Sequence, residues 1–91
     1  MAIYLIAVDM RAIGHDYLGF FNHVRQAGYH QALETSWLIE TQDPLRALSD
    51  RLLALLAPGD GLLQVEISAD APWAATRLKD GTGAWLKQQR P

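Results

Sequence analysis

Ala2-Ile3-Tyr4-Leu5-Ile6-Ala7-Val8-Asp9 is an apolar run that closes on a carboxylate. Alternation places Ile3, Leu5 and Ala7 on one side and Tyr4, Ile6 and Val8 on the other, so both faces are apolar. A strand of that kind is central in its sheet and covered on both sides. Asp9 sits at the lip of this buried element, where a charge is costly unless it is solvated, paired or metal-bound. It is therefore the first candidate for chemistry.

The rest of the chain arranges itself around that strand. Gly14-His15-Asp16 punctuates a loop. Asp16 reads as an N-cap, and Tyr17, Phe20, Phe21, Val24 and Ala27 follow at helical spacing until Gly28 stops the helix. Tyr29 to Thr41 is extended and too long for a single strand, so a tight bend near Glu34-Thr35-Ser36 divides it. Asp43-Pro44 reads as an N-cap followed by proline at the first helical position. Leu45, Leu48, Leu52, Leu55 and Leu56 then share a helix face up to Pro58-Gly59. After the Asp60-Gly61 turn, Leu62 to Ser68 alternates with Leu63, Val65 and Ile67 inward.

The order strand, helix, strand, strand, helix, strand predicts an α+β fold, the ferredoxin-like βαββαβ unit. Its antiparallel sheet has four strands, with two helices on one face. The 91 residues form one domain, a core over 1–68 and a tail over 69–91. In the tail, Pro72-Trp73 and Ala84-Trp85-Leu86 begin short helical segments hinged by Gly81-Thr82-Gly83. In this topology the first strand lies between the third and fourth, antiparallel to both. Asp9 then approaches Ser36 on one side and Asp60-Gly61 on the other. The face away from the helices carries more apolar surface than a monomer normally exposes, which predicts a second copy against it. A chain of this size buries only roughly 60–65% of its unfolded surface, so association also adds stability.

Composition narrows the function classes. There is no cysteine, which excludes a disulfide framework, a thiolate zinc site and a cysteine nucleophile. The apolar N-terminal run is too short to span a membrane and lacks a signal-peptide layout, so the expectation is a cytoplasmic protein with no membrane partner. Ten acids against eight scattered bases disfavour tight, sequence-independent binding of long nucleic acids by a monomer. His15, His23 and His30 show no paired metal spacing. Trp37 alternates inward as core, and Trp85 and Trp73 read as aromatic anchors for docking the tail.

The strand ending in "IAVDM", the helix closing at "QAGY", the "TSWLIET" segment and the "GDGLLQVEIS" strand together resemble the small CRISPR-associated adaptation nucleases. The similarity extends to their stand-alone SinR-like relatives, with an STW-like Thr35-Ser36-Trp37 and the "WLK" of Trp85-Leu86-Lys87. Virulence-associated protein D toxins share the superfamily. The resemblance spans nearly the whole chain through short motifs. It implies a homodimer in which Asp9 of each subunit approaches its mate and the pair binds Mg²⁺ for phosphodiester hydrolysis of RNA or DNA. In that scheme Asp9 is catalytic and the metal ligand, Ser36 is a phosphate or metal-water contact, and Arg11 binds the substrate phosphate. Two facing carboxylates with waters suit the octahedral oxygen shell of Mg²⁺, which lowers the pKa of an attacking water.

Bland readings stand beside these. Asp9 terminates a strand and accepts loop N–H bonds, Ser36 is a turn hydroxyl, Arg11 is a solvated base and Asp60 is a turn residue. The acidic balance, a loop after Arg11 that is not rich in bases and one candidate acid per chain suit an alternative. In it the protein is a catalytically inactive dimeric adaptor or toxin-antitoxin-type interaction module, with an integrase or antitoxin as partner. A third option is a small ligand bound between helix and sheet.

Overall fold

The computed structural model describes residues 2–68, 72–79 and 81–89. Strand β1 (Ala2–Asp9) leads to helix α1 (Leu18–His23), the hairpin β2 (Tyr29–Leu33) and β3 (Ser36–Thr41), helix α2 (Leu45–Leu53), strand β4 (Gly61–Ile67) and helix α3 (Thr82–Gln89). The four strands form one sheet in the order β2-β3-β1-β4. β1 is antiparallel to both β3 and β4. This is the ferredoxin-like arrangement the chain predicts, with β1 central. Asp9 lies opposite Gly61 and Ala7 opposite Ser36, so the expected meeting of chain segments at one end of the sheet is present.

The two faces of β1 serve two different clusters. Tyr4, Ile6 and Val8 pack with Trp37, Ile39, Phe20, Val24, Leu48, Leu52 and Leu56 under α1 and α2. Phe20 is edge-on to Trp37, ring centroids 5.3 Å apart. On the opposite face Ile3 packs with Ala32, Leu38 and Leu86, flanked by Leu5, Ile67, Leu78 and Trp85. Helix α3 therefore covers part of the second face. Trp85 docks there, stacked on His30 at 3.7 Å, and the buried Thr82 hydroxyl donates to the Gln31 carbonyl.

The hairpin break falls at Glu34-Thr35, as the length argument requires. Gly28 turns the chain into β2 with φ +93°; a Cβ there would stand 3.0 Å from the Glu40 carbonyl oxygen, while Glu40 N–H donates to the Gly28 carbonyl.

Several boundaries and facings differ from expectation. The alternation predicts Leu63, Val65 and Ile67 inward, and of the three Ile67 packs into a cluster, the one under α3. Ile6 pairs with Gln64 and Val8 with Leu62, which sends the even-numbered residues of β4 to the helix side. Leu63 and Val65 follow Ala7 and Leu5 to the other face, where they are 58% and 45% exposed. Both faces of this sheet are apolar, so alternation alone did not fix the phase.

At α1, the carboxylate of Asp16 accepts the Leu18 N–H, but Tyr17 is the N-cap and the helix stops at His23, with Val24 buried in the turn beyond. At α2, Pro44 is itself the N-cap, because its ψ of 152° is extended, and Asp43 is not the cap; its carboxylate accepts from Arg51 instead. The helix also ends before Leu55 and Leu56, which pack from the following turn. Among the described residues 72–79 there is no helix, which corrects the segment expected from Pro72-Trp73. Thr82 and Gly83 belong to α3 rather than to a hinge. No helix of the described residues is long and apolar enough to cross a membrane.

The facing of α2 sets a direct expectation. Leu52 is fully buried and its neighbour Leu53 is 51% exposed. Leu52→Ala should cost about 2–5 kcal/mol in urea unfolding, and Leu53→Ala should stay within about 0.5 kcal/mol.

Candidate functional site

The lip of the sheet is built by two chain segments that meet over Asp9. β1 delivers Asp9 at its end, and the chain continues through Met10 to Arg11, whose guanidinium folds back. Arg11 Nε donates to Asp9 Oδ2 at 2.8 Å, and Arg11 Nη1 donates to the Gly59 carbonyl at 3.0 Å. The Arg11 backbone N–H donates to Asp60 Oδ1 at 2.8 Å. Gly61 makes room for this: a Cβ at that position would lie 3.0 Å from Arg11 Nη2 and 3.2 Å from Asp9 Cβ. The side chains of Asp9 and Arg11 remain 68% and 59% exposed, so their ion pair is a surface one and contributes little to stability by itself.

Asp60 is the organiser. Its second oxygen accepts the Tyr17 hydroxyl and the Ala57 N–H, each at 2.8 Å. The Tyr17 hydroxyl in turn accepts the Ala12 N–H at 3.3 Å, and His15 packs edge-on to the Tyr17 ring with centroids 4.5 Å apart. One carboxylate thus ties the loop after β1 and the start of α1 to the turn before β4. Desolvation pushes the Asp60 carboxyl upward, but the N–H of Arg11, the Tyr17 hydroxyl and the N–H of Ala57 outweigh it and hold the pKa below its ordinary value. Tyr17 is displaced upward, first by desolvation and then by its hydrogen bond to Asp60.

The three residues singled out from the sequence are all brought to this end of the sheet. Asp9 and Arg11 touch directly. Ser36 is on the adjacent strand opposite Ala7, half-buried, on the same sheet face as Asp9. A shallow depression of about 280 Å³ lined by Ala7, Val8, Asp9, Gly61, Leu62 and Leu63 adjoins them. Among the described residues no group of three or more His, Cys, Asp or Glu side chains is placed to hold a metal ion. Asp60 accepts donors on both oxygens and Asp9 on Oδ2 alone, so Asp9 is the freer of the two carboxylates at this lip. The donor set of a single chain does not fit a Mg²⁺ site, and a second copy would have to complete it.

Helical periodicity counts Tyr17 as an apolar position and carries no signal of the hydrogen bond its hydroxyl makes to Asp60. The "PGDG" stretch signalled a turn at Asp60 but not the partners its carboxylate would find, since they come from a distant segment. A second concavity, about 540 Å³, lies beside β2 and includes Phe21, Arg25, His30, Glu34 and Lys79. There Lys79 faces Glu34 at 3.4 Å, and Arg25 donates to the neutral Asn22 side chain at 3.3 Å.

Comparison with protein-family models, with curated proteins and with solved structures returned no match.

The sign of the Asp60 linkage is fixed by its lowered pKa. The stabilisation is complete above the unfolded value of 3.8 and is lost as pH falls through the folded value. Asp60→Ala should lower the thermal midpoint at neutral pH and flatten the acid limb of a plot of midpoint against pH. An unchanged acid limb would show that other carboxylates control it.

Proposed function

We propose that the protein is a homodimeric, non-catalytic interaction module, an adaptor or toxin-antitoxin-type component on a ferredoxin-like scaffold, working in the cytoplasm with a protein partner such as an integrase or an antitoxin. The observation that carries this reading is the apolar strip on β4. Leu63 and Val65 stand 58% and 45% exposed beside Leu5, on the face that α3 leaves partly bare. A small monomer gains stability by covering such a strip. At the lip, Arg11 already neutralises Asp9, so the acid has a partner within its own chain.

A second reading is a CRISPR-associated-nuclease-like, Mg²⁺-dependent endonuclease acting on RNA or DNA. It is favoured by the exposed Asp9 carboxylate, which shares a face with Ser36 and has Arg11 beside it. There the Asp9 carboxylates of two copies would hold the ion. Mg²⁺ would supply charge neutralisation at a phosphate and an activated water, with Arg11 turning from Asp9 to the phosphate and Ser36 donating to a phosphate oxygen.

Two measurements decide. Light scattering should give twice the 10.1 kDa chain mass, and Leu63→Lys should return it to the chain mass with an unchanged far-ultraviolet spectrum. Wild-type protein that stays at the chain mass at high concentration overturns the dimeric module. Incubation with RNA and DNA and a series of divalent cations should leave both intact. Cleavage that depends on Mg²⁺ and disappears in Asp9→Asn would establish the endonuclease instead.

A further inference from the structure

Helix α1 has only six residues, too few to be stable alone, so its position depends on what ties it down. At its start the Asp16 carboxylate accepts the Leu18 N–H, and the Tyr17 hydroxyl donates to Asp60. The buried Phe20 anchors its middle. Its last residue, His23, is tied through its side chain. His23 Nε2 lies 2.9 Å from the Tyr29 hydroxyl of β2, and the two rings are edge-on with centroids 5.2 Å apart. The same hydroxyl is hydrogen-bonded by Arg51 of α2. Arg51 Nη1 also donates to Asp43 Oδ2 at 3.0 Å. Tyr29 thus stands where α1, β2 and α2 meet.

The protons available at Tyr29 set the state of His23. A guanidinium only donates, and a phenol has one proton to give. With His23 neutral and its proton on Nδ1, Nε2 accepts from Tyr29 while the Tyr29 oxygen accepts from Arg51, and every group is satisfied. With His23 protonated, both neighbours donate to one oxygen and the Tyr29 proton loses its acceptor. The imidazolium then also stands near the Arg51 cation. Burial, and after it the Arg51 charge, hold the His23 pKa below its ordinary value of 6.5, in keeping with this geometry. Burial raises that of Tyr29, which stays a neutral phenol.

We propose that His23, Tyr29 and Arg51 form an acid-released latch that holds the end of α1 to β2 and α2. The groups facing His23 are Tyr29 from β2 and Arg51 from α2, with Asp43 paired to Arg51; Arg25, one turn on, donates to Asn22. The folded state takes up the His23 proton less readily than the unfolded chain. The contribution of the latch is therefore complete above 6.5 and is lost as pH falls through the folded value. The two ends of α1 respond differently. The Asp60 carboxyl is held below 3.8, so the Tyr17 tie survives the acidity that charges His23. Mild acid frees the end of α1 and the turn over residues 24–28 while the start stays pinned.

Amide exchange from about pH 7.5 to about pH 5, corrected for the intrinsic effect of pH, reads the latch. The Gln26 N–H donates to the His23 carbonyl and the Tyr29 N–H to the Gln26 carbonyl. Both should lose protection over this range, by up to about ten-fold for each unit between the folded and ordinary pKa of His23. The Phe21 N–H, bonded to the Tyr17 carbonyl, should keep its protection. His23→Gln still accepts from Tyr29 through its amide oxygen and has no proton to gain, so its turn should be insensitive to pH. Loss that persists in His23→Gln, or that reaches Phe21 to the same degree, overturns the latch. Arg51→Gln keeps His23 and removes the opposing charge. By NMR of the His23 ring, the titration midpoint should lie below 6.5 in the wild type and move up in Arg51→Gln. A wild-type midpoint at or above 6.5, or one that Arg51→Gln leaves unmoved, overturns the latch even where His23→Gln fails to fold.

Discussion

The central strand has apolar side chains on both of its faces, and each layer of the molecule answers the need to keep both from water. Tyr4, Ile6 and Val8 are buried under α1 and α2, while Ile3 is buried under α3 on the reverse side. At about 25 cal/mol per Å² of apolar surface removed from water, each of these side chains contributes far more than any exposed ion pair. The second cover is narrower than the first. It reaches Ile3, Ala32, Leu38 and, at the end of β4, Ile67, but leaves Leu63 and Val65 in solvent. The incomplete cover is the physical source of the dimeric reading.

The functional end of the sheet depends on a second, local constraint. Asp60 gathers three donors, two of them from the distant segment that holds Arg11 and Tyr17, and so fixes where those residues stand. With its backbone held by Asp60, Arg11 can place its guanidinium over Gly61 and against Asp9. The residue that looked most like a site is thereby paired by its neighbour, and the residue that looked like a turn positions them both. Order here comes from one carboxylate with donors on both of its oxygens.

Much of this was legible beforehand, and the reasons differ by element. The break at Glu34-Thr35 followed from strand length, and the turn at Gly28 from the residue that tolerates a positive φ. The meeting of Asp9 with Asp60-Gly61 and of Ala7 with Ser36 followed from topology, because a central antiparallel strand has only two neighbours. The facing of β4 was not legible. In "GLLQVEI" either phase offers apolar residues, and only the register with β1 selects Leu62 and Gln64 for the helix side. Asp43 is not the cap because Pro44, extended at ψ 152°, holds that position, and the Asp43 carboxylate accepts from Arg51 instead.

By itself, the sequence determined the element order, the ferredoxin-like class, the burial of β1 on both sides and the placing of Asp9, Arg11 and Ser36 at one end of the sheet. These follow from periodicity, from turn residues and from the few ways such elements connect. Only the tertiary structure decided that α3 shields the β2 side and leaves Leu63 and Val65 of β4 bare, and that Asp60 holds Arg11, which in turn pairs with Asp9. Both outcomes depend on contacts between residues far apart in sequence, and such contacts are set by register and packing, which no local pattern encodes.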